Sequence, residues 1–185
     1  FVPFFNPGEN IPWNRVVKMM REQTNLAEQA DFTTVWLTEH HFAHNGYLNA
    51  PPNPIMMSLD LASHSKKIRV GQAPIVLPDW HPLRVAEDIA LLDNMTEGRV
   101  DFGVAKGINE RVTLQFNQDA DRRDNEKSYR LFMESLDVIL KAWTQNPFTH
   151  KGEFYEFPVP GWKETNRFLM PLEKEYHSED GEYTL

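Results

Sequence analysis

The sequence predicts an α/β fold: the N-terminal half of a (β/α)8 barrel, about four βα units followed by an excursion. Three observations carry this. Short apolar runs alternate with amphipathic stretches up to Gly107. Val35, Trp36 and Leu37 are consecutive and apolar, as in a strand buried on both faces of a parallel sheet. Residues suited to chemistry sit where the apolar runs stop, and the active sites of such barrels lie at strand ends. Strands separated by helices of this length form βαβ units with right-handed crossovers. A doubly wound sheet is the alternative. Against it, the first strand is followed by "NPGEN", with one glycine where a dinucleotide-binding G-x-G-x-x-G needs three.

In order, "FVPFF" reads as the end of a first strand. "PWNRVVKMMREQTNLAEQAD" is a helix with Val16, Met19, Met20, Leu26 and Ala30 near helical spacing. "FTTVWL" is the second strand. "NPIMMSLDLASHS" is a helix with Pro54 in its first turn. "KIRVGQAPIVLP" is the third strand. The next helix begins near Pro82 and stops at Gly98. "RVDFGVAKG" is the fourth strand. Residues 108–122 read as a polar loop. "DNEKSYRLFMESLDVILKAWTQ" is a strong helix, with Leu131, Ser135, Val138, Ile139 and Ala142 on one side. Residues 146–185 form a surface excursion that opens on an aromatic hairpin, all within a single domain of 1–185.

Composition excludes several classes of function. The formal net charge of −8 over 185 residues argues against a nucleic-acid-binding surface. No apolar run is long enough to cross a bilayer. "FVPFF" lacks the basic and extended apolar regions of a signal peptide. With no cysteine, disulfides, thiolate-bound zinc and thiol catalysis are excluded. A cytoplasmic protein is expected.

Three strand ends carry the candidate chemistry. In "TVWLTEHHF" the strand runs into Glu39, His40 and His41. Adjacent strand residues point to opposite faces, so the two histidines are not expected to share a ligand, and no metal site is expected. One histidine bonding backbone at a strand end is the plainer reading. In "GQAPIVLPDWHP", Pro74 within a strand implies a bulge, a strand end or a cis bond. His81 is expected to cap the next helix rather than face a pocket. In "DFGVAKG", Lys106 between small residues can reach an anionic group; a solvated lysine is the plainer reading. The charges of "DADRRDNEK" read as a solvated loop and helix start, and the aromatics of "GEFYEF" as packing.

Together, "FTTVWLTEHHF", "VGQAPIVLPDWHPLRVAEDIALLDNMTEGRVDFGVAKG" and the more generic "GEFYEFP" resemble the bacterial luciferase family of flavin-dependent monooxygenases, over roughly residues 13–157. In the E-H-H-F stretch the resemblance is greatest to the luciferase alpha chain. The resemblance implies a (β/α)8 barrel. It implies reduced FMN, supplied by a separate NAD(P)H-dependent flavin reductase, and O2 as co-substrate. A flavin C4a-hydroperoxide would then oxygenate a small organic substrate. It implies that His40 assists the hydroperoxide chemistry, with Glu39 or His41 holding it in position. It places Ala73 and Pro74 at an unusual cis peptide beside the flavin ring. It places Lys106 near the flavin phosphate, where Lys for the commoner Arg keeps the charge but loses the bidentate fork. Ala105 stands where the luciferase alpha chain has a reactive cysteine, so bioluminescence is not implied.

A peroxyflavin needs a closed, apolar pocket, for which Trp36, Phe42, Ile75 and Leu77 are candidate walls. The alternatives are a deazaflavin (F420)-dependent oxidoreductase and a non-catalytic flavin-binding or partner subunit. A homo- or hetero-dimer is expected. A complete barrel of this type needs about 250 residues or more. The chain is therefore expected to be part of one of roughly 300–400 residues, or else a reduced relative. A half barrel alone would expose parallel edges and aggregate, and would hold FMN weakly.

Overall fold

The computed structural model describes residues 11–42 and 51–161. The expected first strand, "FVPFF", and residues 162–185 lie outside the described residues.

Helix α1 (Trp13–Gln29) leads into strand β1 (Thr34–Leu37). Helix α2 (Pro54–Ser63) follows, with Pro54 at its start as expected; the Asn53 side chain accepts the Met56 N–H at 2.9 Å and caps it. Strand β2 (Arg69–Val76), a 3₁₀ turn (Leu77–Asp79), helix α3 (Pro82–Met95) and strand β3 (Val100–Ala105) complete the regular part. The three strands form one parallel sheet in the order β1-β2-β3.

The sheet has one strongly covered face. Val35 and Leu37 of β1 pack with Val70 of β2, with Val16 and Met20 of α1 and with Leu61 of α2. A second cluster joins Ile75 and Leu77 to Val85, Ile89 and Leu92 of α3 and to Ile139 of helix α5 (Asn125–Thr144). Each such side chain, fully buried, contributes about 1.5–3 kcal/mol. The α1 expectation is corrected in part. Val16 and Met20 are buried, but Leu26 is 62% exposed and Ala30 is exposed. Thr24 takes the buried position one turn after Met20, because the stripe continues along i, i+4.

Trp36 is 43% exposed, so β1 is not buried on both faces as its composition implied. Its ring lies across Gly71, its partner in register on β2. A Cβ at Gly71 would overlap that ring, so the glycine makes room for the indole. One step towards the strand starts, Thr34 and Arg69 bond Asp101 at 2.9 and 2.8 Å. The Arg69 guanidinium, with lesser help from Thr34, holds the Asp101 carboxyl below its ordinary range. Polar pairing at this end leaves the opposite end for the site.

Residues 108–122 are not a simple loop. They contain helix α4 (Glu110–Phe116), capped by the Asn109 side chain, and a 3₁₀ turn (Gln118–Ala120). The helix has seven residues, too few for a clear apolar period. On α5, Leu131, Ser135, Val138 and Ile139 are buried as expected. Asp124 caps α5, and Asp121 pairs with Arg123 at the surface, as the charged "DADRRDNEK" implied.

Strands β4 (His150–Lys151) and β5 (Glu156–Phe157) pair antiparallel as the expected hairpin. Glu134 of α5 pins it by accepting backbone N–H groups of Glu153, Phe154 and Tyr155. Tyr155 and Phe157 stack at 6.1 Å, so these aromatics do pack. His81 occupies the cap position of α3 without a capping bond, contrary to expectation. Its ring instead lies edge-on to Tyr155 and Phe157, and burial pushes its pKa down.

Candidate functional site

A cavity of about 440 Å³ opens at the C-terminal ends of the three parallel strands. That volume lies within the range of roughly 300–1,000 Å³ usual for small-molecule sites. β1 contributes Thr38, Glu39, His40 and His41 beyond its end. β2 contributes Pro74, Val76 and, one turn on, Asp79. β3 contributes Ala105 and Gly107, and the start of α4 adds Asn109, Val112 and Thr113.

Both histidines line this cavity, contrary to the strand-alternation argument. The reason is that β1 stops at Leu37. The chain beyond it is no longer pleated, and Phe42 turns with φ 56°. Two-residue periodicity therefore ends before His40.

Glu39 organises the site. It is 5% exposed, and three donors converge on its carboxylate. Oε2 accepts the Val76 N–H at 2.9 Å, which ties the end of β1 to β2. Oε1 accepts the Trp80 indole N–H at 2.9 Å and lies 2.8 Å from His41 Nε2. The partner of Glu39 among the histidines is thus His41, while the His40 backbone N–H reaches the Pro51 carbonyl at 3.5 Å.

Asp79 was not legible as a site residue. Both its carboxyl oxygens are shut off from solvent, and neither has a hydrogen-bond partner. The Thr113 hydroxyl beside it donates to the Asn109 carbonyl at 3.2 Å; Thr113 and the nearby His41 pull the Asp79 carboxyl down, but by less than burial and Glu39 raise it. Burial first, and the charge of Glu39 second, push the Asp79 carboxyl up to about 7. Glu39, His41 and Asp79 each bring one ligand-type atom within 4.8 Å of the others. Hydrogen bonds turn Glu39 and His41 towards each other rather than towards a cation.

The Ala73–Pro74 peptide is cis, and the β2–β3 register shifts between Gln72 and Ile75. Pro74 lines the cavity; Ala73 is exposed beside it. Lys106 does not line the cavity although Ala105 and Gly107 do. Its ammonium bonds the Asn125 side chain at the start of α5.

The expected apolar walls are corrected. Ile75 and Leu77 are fully buried core against α3. Trp36 lies on Gly71, and Phe42, 52% exposed, stacks on Phe116 at 5.7 Å. The apolar wall is made instead by Pro74, Val76, Ala105, Ile108 and Val112. Gly107 has φ 82°, and a Cβ there would come within 2.8 Å of Val76 Cγ1, so the wall turns on a glycine.

Residues 1–172 match the family model described as luciferase-like monooxygenase. The chain belongs to the luciferase-like monooxygenase family. It is 33% identical over 143 residues to the alkanal monooxygenase alpha chain of the Kryptophanaron alfredi symbiont, which covers 77% of this chain and 38% of that one. It is 29% identical over 139 residues to the oxygenase component of flavin-dependent trigonelline monooxygenase from Acinetobacter baylyi, covering 75% and 37%. The chain thus spans well under half the length of these relatives.

Among solved structures, the oxygenating constituent of 3,6-diketocamphane monooxygenase of Pseudomonas putida, in complex with FMN, superimposes with a TM-score of 0.72. It is 22% identical and covers 84% of this chain and 41% of that one. An F420-dependent secondary alcohol dehydrogenase superimposes with a TM-score of 0.65 at 20% identity, covering 76% and 42%. These two likenesses establish the luciferase-like α/β fold. Among the described residues, no helix is long and apolar enough to cross a membrane.

Proposed function

We propose that the parent protein is an FMN-dependent monooxygenase, and that this chain supplies the strand-end side of its flavin pocket. The observation that carries the reading is the cavity itself, in which Glu39, His40, His41 and Pro74 converge at the ends of two parallel strands. The three-stranded sheet is read as part of a (β/α)8 barrel. The mostly apolar wall and the few convergent polar groups fit a planar heterocycle, as small-molecule sites commonly do.

Reduced flavin, held in the cavity lined by His40, Pro74 and Ala105, would supply the electrons for activating O2. The residues of this chain bind, orient and manage protons. Pro74, Val76, Ala105 and Val112 exclude water from the ring. His40 lines the cavity, where its imidazole can hand a proton to or from the occupant. Glu39 fixes the His41 ring through its 2.8 Å bond and joins β1 to β2, so the segment bearing His40 is held at both sides. Lys106, between the cavity-lining Ala105 and Gly107 and bonded to Asn125, is the cation this reading assigns to the flavin phosphate.

A separate NAD(P)H flavin reductase, a small organic substrate and a dimeric assembly complete this reading. Anaerobic titration of the full-length protein with reduced FMN and with reduced F420 tests it. Stoichiometric FMN binding, with O2-dependent product in the presence of a reductase, is expected. Binding of F420 alone would make the protein a hydride-transferring oxidoreductase. Flavin binding with no turnover would make it a partner subunit.

A further inference from the structure

The two histidines of the cavity stand beyond the last ladder pair of β1, Leu37 with Gln72. Strand pairing therefore does not set where their rings lie. On one side the segment is held by Glu39, through the Val76 N–H and the Trp80 indole. On the other side it meets a ring of helix α4. The Phe116 ring centroid lies 4.7 Å from that of His41, tilted by 58°. It lies 5.7 Å from that of Phe42, nearly parallel at 17°. Both separations fall in the range of about 4.5–7 Å at which aromatic rings attract.

Two further observations give this contact a purpose. Phe42 has φ 56°, a conformation that a bulky residue keeps only where its surroundings hold it. Phe116, stacked on the Phe42 ring, is a neighbour that can do so. Phe116 is itself 47% exposed, so burial in a core does not account for its position. Val112, one turn earlier on α4, lines the cavity. One face of the helix thus supplies both cavity wall and brace.

We propose that Phe116 is a positioning residue of the site. Acting through His41 and Phe42, its ring sets where the segment bearing both histidines stands against the cavity. The short helix α4 is then a working part of the pocket and not a mere connection. The consequence for turnover rests on the flavin reading; the placement of the histidines does not.

The test uses full-length protein, with reduced FMN and O2 as probes. The readout is conversion of the bound reduced flavin and O2 to oxidised flavin and hydrogen peroxide, without organic substrate. A histidine segment out of place leaves the flavin less shielded. Peroxide release should therefore be about 10–100-fold faster in F116A and F116L, with flavin affinity within about twofold of wild type. F116Y keeps the ring and should stay within a few-fold of wild type. Adding F116A to H41A should change the rate little, because Phe116 acts through that imidazole. Wild-type rates in F116A and F116L, or fully additive effects of F116A and H41A, overturn the proposal.

Histidine ring resonances of the ligand-free protein decide without any flavin. The His41 signals should move in F116A and F116L and stay near their wild-type positions in F116Y. Unmoved His41 signals in F116A overturn the placement. If they move but wild type never binds FMN, the flavin reading fails and the positioning role stands.

Discussion

Oε1 of Glu39 lies 2.8 Å from Nε2 of His41, while Oε2 of the same carboxylate accepts the Val76 N–H at 2.9 Å. One buried side chain thus fixes an imidazole and clamps two parallel strands at the ends that form the cavity. Glu39→Ala would leave the Val76 N–H and the Trp80 indole without their acceptor. A loss of roughly 2–4 kcal/mol in unfolding free energy is expected, read by urea denaturation. A change under about 1 kcal/mol would mean that the clamp is dispensable.

His40→Ala in the full-length protein should lower product yield far more than it weakens flavin affinity. A proton-managing residue acts in the chemical steps, typically worth about 10²–10⁴-fold in rate. Peroxide released without product should rise. A large effect from His41→Ala with a silent His40→Ala would exchange their roles.

Much of this arrangement was legible in the sequence. Long apolar runs and the prolines and glycines that end them located the three described strands and the helices between them. Pro74 marked its irregularity because a strand proline cannot donate to a ladder. What was missed follows from short range or long range. Helix α4 is seven residues, and its signals were the asparagines at 109 and 117 rather than any period. Asp79 meets Glu39 only because β1 and β2 pair in parallel, and no local pattern encodes that approach. The orientation of His40 and His41 was misjudged because strand periodicity was carried past Leu37.

Gly71→Ala should destabilise the sheet, since the added methyl meets the Trp36 ring. About 1–3 kcal/mol is expected for such overpacking. The same change in a Trp36→Ala background should cost much less, so that the double mutant is destabilised by less than the sum of the two single changes. Additive costs would mean that the ring does not rest on Gly71.

Asp79 should shape the pH dependence of stability. Its folded value of about 7 lies above the ordinary 3.8, so the folded state holds the proton longer than the unfolded chain. This group's contribution therefore falls as pH rises from about 4 to about 7 and is level above that. D79N removes the slope and should gain about 2–4 kcal/mol on wild type between pH 5 and pH 8. Parallel stability curves for the two proteins would contradict the buried acid.

Equilibrium dialysis of the full-length protein against FMN tests the central claim most directly. One FMN per chain, with binding weakened by bulky substitution of Ala105 in the cavity wall, is the predicted result. No flavin retained at any concentration would contradict the account.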